Sequence, residues 1–258
     1  MENKIIPIAF ALTPRMQSFI EFRDALRCLT QAMQNDAPYA WLPAAKELHD
    51  LLIGEGNKRP ATPNVLSLFD AVRKHFHQLS GKHLDFQSKL IKACEDIALN
   101  AEKIRQQVPA ATDFLTSDAW LRAYSESIRK QDLLGHKLSL PQIIQPLWHE
   151  GQRANSLFQL LEPAIQAVEH LNQILHAHVP WEQRIAREGF DQITLHAQDD
   201  IGLVIIGLRQ DVLAQGIVPS CSGFRSTVRL RFSKWGAGKV EEDLQHDQNY
   251  ALMAVPIS

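Results

Sequence analysis

The stretch FRSTVRLRFSKW, Phe224 to Trp235, alternates apolar and polar residues and carries Arg225, Arg229 and Arg231 at even separations. Guanidinium groups so placed suit one kind of chemistry, because their planar forks grip carboxylates and phosphates through paired hydrogen bonds. On a strand, residues two apart share a face about 6.5–7 Å from each other, where like charges repel unless something anionic answers them. Lys234 and Lys239 follow, and no acidic residue stands between Asp211 and Glu241. A chain of formal net charge -2 has therefore gathered five cations in one segment. Two readings compete: a solvated outer face paired across a hairpin with the carboxylates of Glu241 to Asp243, or a face that binds an anion from outside.

Other constellations fail on spacing. GAGK, Gly236 to Lys239, resembles the end of a phosphate-binding loop, but Ser233 stands where the first glycine belongs and Val240 where a hydroxyl is needed, leaving a turn after a strand. GEG at Gly54 to Gly56 lacks the preceding strand and third glycine of a dinucleotide site and reads as a helix stop. The pairs His75/His77 and His176/His178 are two residues apart, which on a helix turns the rings about 200° from each other and prevents shared ligation. PSCSG at Pro219 to Gly223 has no glycine where a nucleophile elbow needs one. His149 and Glu150 in WHEG would not face each other on a helix. No catalytic residue, metal ligand or cofactor is expected.

The elements that position the arginines follow from a change of period. At 258 residues, 45% of them hydrophobic, the chain is long enough for one large domain or two modest ones. Thr13-Pro14 signals a helix start, followed by a stripe of Phe19, Phe22, Leu26, Leu29 and Met33. Thr62-Pro63 repeats the signal before Val65, Leu68, Phe69, Val72, Phe76 and Leu79, and a third stripe runs from Phe86 through Leu90, Cys94, Ile97 and Ala101 to Ile104. Shorter helices are predicted over 43–53, 117–128 and 141–147, and a long one over 154–178 with a break or kink near Leu161 caused by Pro163. After Val179-Pro180 the period becomes two, predicting strands over 190–195, 202–208, 224–235 and 250–257. The expectation is an α+β chain: a helical bundle over 1–180 and a small antiparallel sheet domain over 181–258, with residues 4–11 as an extra strand beside the C-terminal ones. Cys28, Cys94 and Cys221 are odd in number and far apart, which fits a reducing cytoplasm. The apolar run near the N-terminus is broken by Pro7, and no stretch reaches a membrane span.

The run from Leu138 to Phe190, LSLPQIIQPLWHEGQRANSLFQLLEPAIQAVEHLNQILHAHVPWEQRIAREGF, followed by SGFRSTVRLRF from Ser222 to Phe232, is similar to the ZapD family of bacterial Z-ring-associated proteins. TPRMQSFIEFRDALRCL, Thr13 to Leu29, resembles that family's opening helix, and the likeness extends in order over nearly the whole chain. The resemblance implies a helical domain plus a strand domain, a symmetric homodimer, and no catalysis. It further implies binding to the C-terminal tail of the tubulin-like division protein FtsZ and bundling of FtsZ filaments at the mid-cell septum, without membrane or nucleic-acid binding.

Carried over by position, Arg225 and Arg231 match family cations, whereas the family's intervening arginine falls at Thr227. Arg229, two residues further on, shares the face and can replace that charge. With Lys234, and with Lys58 and Arg59 standing in for a helical-domain contribution where the family position holds Gly54, these residues form the expected tail site. The alternative from another class is nucleic-acid binding by the same basic strand, opposed by the near-neutral chain and by the lack of aromatics among the arginines apart from Trp235.

Overall fold

The computed structural model describes residues 4–34, 40–54, 59–82, 84–129, 146–148, 152–177, 179–195, 200–224, 227–236 and 239–257. The fold is α+β, with helices mostly in the N-terminal part and antiparallel strands mostly in the C-terminal part. Two compact units divide the chain: Ser18–Asn172, and Met1–Gln17 together with Gln173–Ser258. The N-terminal segment and the end of the last long helix thus group with the strands, where the change of sequence period places the boundary near residue 180.

The helical unit is built from α1 (Pro14–Gln34), α2 (Trp41–Ile53), α3 (Ala61–Lys82), α4 (Gln87–Ser117), α5 (Ala119–Arg129) and α6 (Arg153–His176). Thr13 caps α1, its hydroxyl oxygen accepting the Met16 amide at 3.3 Å, and Phe19, Phe22, Leu26 and Leu29 are buried along one stripe. In α3 the buried stripe is Val65, Leu68, Phe69 and Val72, and it fades at the half-buried Phe76 and Leu79. The same fading holds for the start of α4, where Phe86 is exposed and Leu90 and Cys94 only half-buried. That helix instead runs on through Pro109 to Ser117, burying Val108, Ala111 and Leu115. In α6, Pro163 likewise lies inside one helix, so of the break or kink expected near Leu161 the chain shows no break. Leu157, Leu161, Ala164, Ala167, Val168 and Leu171 are all buried there. Full burial of each Leu or Val is worth about 1.5–3 kcal/mol, enough together to offset the hydrogen bond that proline forfeits.

Polar ties join several of these helices. Arg27 grips Glu169 with two hydrogen bonds of 2.6 and 2.8 Å, Arg23 reaches the Asn172 amide oxygen at 3.0 Å, and Asn100 meets His170 at 2.6 Å. Asp118 caps α5 by accepting the amides of Trp120 and Leu121, both at 2.9 Å.

Among the described residues, the strand unit holds eight strands: β1 (Ile5–Ala11), β2 (Glu182–Ala186), β3 (Phe190–Thr194), β4 (Ile201–Arg209), β5 (Ile217–Phe224), β6 (Thr227–Gly236), β7 (Lys239–Asp243) and β8 (Gln248–Pro256). They make two antiparallel sheets in place of the single small sheet expected. One has the order β1-β4-β8-β2; in the other, β6 lies between β5 on one side and β3 and β7 on the other. The N-terminal strand pairs with β4, Ile8 opposite Ile206, so both ends of the chain enter the first sheet. Val204, Ile206, Leu208 and Leu252 from that sheet form one apolar core with Ile193, Val228, Leu230 and Phe232 from the other. A short helix, α7 (Gln210–Ala214), connects β4 to β5 and is followed by a turn at Gly216. The φ of 79° at Gly216, and the Trp235 carbonyl oxygen standing where a Cβ would project, both require glycine there.

Candidate anion-binding face

Strand β6 buries Val228, Leu230 and Phe232 and turns Arg229 and Arg231 outward, with Thr227 at the start of the same row. Register fixes what surrounds the two guanidinium groups. Arg231 lies between Phe190 on β3 and Ser220 on β5, and Arg229 between Gln192 and Ser222. None of these four direct neighbours is acidic. Phe190 is 44% exposed, an apolar surface beside the charge. Together Phe190, Ser220, Ser222, Arg229, Arg231 and Asp243 line a hollow of about 590 Å³.

Among the described residues, one carboxylate answers the row. Asp243 Oδ1 on β7 is 3.5 Å from Arg231 Nη1, so the pairing expected from the Glu241 to Asp243 run exists in part. Arg229 has no ion-pair partner among the described residues, and both arginines are exposed. Among the described residues, the pairing across the hairpin thus reaches Arg231 and not Arg229.

The strand carrying the face is held from beneath. Asp191, next to Phe190, points to the opposite side, where its Oδ2 accepts Arg184 Nε at 2.9 Å and the Tyr250 hydroxyl at 2.5 Å. Arg184 Nε also donates to the Tyr250 oxygen at 3.2 Å. This triad joins β2 and β8 of the first sheet to β3 of the second. Burial pushes the Asp191 carboxyl up, but hydrogen bonds from Arg184 and Tyr250 outweigh it, so the net value lies below the usual carboxylate range. Burial pushes the Tyr250 phenol up, and its bond to Asp191 adds to that. The Cys221 thiol, at the edge of the hollow, is raised by burial to about 11.

The structure brings together only part of the site expected from sequence. Lys234 is exposed but has the parity of Val228, Leu230 and Phe232, three residues from Arg231, so it leaves the arginine row. The intervening Ser233, on the row's parity, is buried, and the register shifts between Lys234 and Gly236. The expected single strand from Phe224 is also corrected, because β5 ends at Phe224, which pairs with Thr227 at the start of β6. Arg225 and Lys58 lie outside the described residues. Arg59 is exposed just before α3, in the helical unit. Phe190, Gln192, Ser220 and Ser222 carry no signal in their own segments and become part of the face only through strand register.

The edge of β5 turned away from β6, which pairs with no further strand among the described residues, is poorly suited to adding one. The Gly216 carbonyl accepts the Trp235 amide at 2.8 Å, so by alternation residue 219 turns its backbone away from β6. Pro219 has no N–H to offer there.

Among the described residues, no group of three His, Cys, Asp or Glu is placed to hold a metal ion, and no helix is long and apolar enough to cross a membrane. His149, Glu150 and His178 lie outside the described residues. No protein-family model matches the chain, and no curated protein matches it in sequence.

Proposed function

We propose that the outer face of the β3-β6-β5 sheet receives the acidic C-terminal tail of FtsZ, and that a homodimer with two such faces cross-links FtsZ filaments at the cytoplasmic division septum. The observation that carries this reading is the exposed pair Arg229 and Arg231 flanked by Gln192, Ser220 and Ser222, with Arg229 unanswered by any described carboxylate. The face supplies the chemistry of the partner, an anionic chain that arginine forks can grip. The resemblance of Leu138 to Phe232 to the ZapD family supplies its identity and the dimer.

Each exposed pair is worth about 0.2–1 kcal/mol, so one tail on one face binds weakly. Two faces on a dimer meet many tails on a filament, and effective concentration turns weak contacts into a cross-link that still rearranges. Arg229 takes the role of the family cation displaced by Thr227, two residues away on the same face. Sedimentation of FtsZ filaments at several salt concentrations, with the tail present and removed, tests the proposal. Bundling should need the tail and weaken with salt; bundling that survives tail removal overturns it.

A further inference from the structure

We infer that Asp243 is an internal competitor for the arginine row, holding Arg231 until an acidic ligand displaces it. The inference rests on the reading of this face as a peptide site. Strand β7 places Asp243 opposite Ser233, diagonal to Arg231 on the same face. The contact between them is 3.5 Å, longer than the roughly 2.7–2.9 Å of a tight charge-assisted bond. Both side chains are more than half exposed, at 60% and 57%. Such a pair is solvated and exchangeable.

Asp243 also lines the same hollow as Arg229, Arg231, Ser220 and Ser222, so its carboxylate occupies the place a ligand carboxylate would take beside Arg231. The face is therefore graded, with Arg231 paired to Asp243 and Arg229 without an ion-pair partner among the described residues. A ligand with one carboxylate reaches Arg229 alone. A ligand with several, spaced along an extended chain, also displaces Asp243 and engages both arginines, which selects multiply acidic peptides over isolated anions.

The test compares the full-length protein with Asp243→Asn, Arg231→Gln and the double variant. Fluorescence anisotropy with a labelled hexaglutamate peptide and a labelled FtsZ tail peptide is read at about 50 mM and about 300 mM salt. Asp243→Asn should bind hexaglutamate about two- to fivefold more tightly at low salt, with the gain shrinking at high salt and vanishing when Arg231→Gln is also present. Equal affinity of Asp243→Asn and the natural chain, a gain that survives Arg231→Gln, or no binding by any variant overturns the inference. If hexaglutamate behaves as expected and the tail peptide does not bind, the competitor stands and the FtsZ reading falls.

Discussion

Replacing Arg229 with glutamate should weaken tail-peptide binding far more than replacing it with glutamine, and the strand geometry says why. Arg229 and Arg231 set against Asp243 leave the described charges of the face at a net +1. Glutamine at 229 brings that to zero and glutamate to -1. The new carboxylate would also stand about 6.5–7 Å from the Arg231 position, close enough for the two long side chains to pair with each other. Arg229→Gln removes one exposed pair, about 0.2–1 kcal/mol or a loss of about 1.4- to 5-fold. Arg229→Glu removes that pair and occupies the neighbouring guanidinium, about 0.4–2 kcal/mol or a loss of about 2- to 30-fold. Anisotropy of a labelled tail peptide at low salt gives both numbers, and circular dichroism should be unchanged because the side chain is exposed. Equal losses in the two variants, or no loss in either, would refute the charge argument.

Two further outcomes follow from the groups around this face. The Asp191 carboxyl is held below its ordinary value, so its contribution to stability is present above the unfolded value of about 4 and is lost as pH falls through the lower folded one. Asp191→Asn should therefore lower the urea midpoint at pH 7 by the equivalent of about 1–3 kcal/mol and flatten the acid dependence, and an unchanged midpoint would show the triad to be idle. Cys221, raised to about 11 by burial, should react with iodoacetamide at neutral pH more slowly than the exposed Cys28, as followed by mass spectrometry; equal rates would contradict its placement.

Much of the architecture is legible in the sequence where period and caps agree. The Thr13-Pro14 start, the stripe of α1 and the parity of Arg229 and Arg231 depend on local rules alone. Strands β2, β5 and β7 escape that reading because each is short or polar, and β5 contains Pro219 and Gly223, residues that edge strands tolerate and central strands do not. The continuation of α4 past Pro109 and of α6 past Pro163 depends on tertiary burial, which outweighs the local penalty. Lys234 has the parity of the buried residues of β6, but the alternation breaks at the buried Ser233 and leaves Lys234 exposed. Phe190, Ser220 and Ser222 join it only through pairing between segments separated by up to some 40 residues, which no local pattern encodes. The acidic run that ends at Asp243 is visible in sequence, but its capture of Arg231 and not Arg229 is a matter of register.

The most direct measurement is a titration of isotopically labelled protein with the FtsZ tail peptide, followed by backbone amide shifts. Placement of the tail on this face requires the changes to gather at Phe190, Gln192, Ser220, Ser222, Arg229 and Arg231 and to fade as salt is raised. Changes confined to other surfaces, or none at peptide concentrations comparable with the tails of a bundled filament, would contradict it.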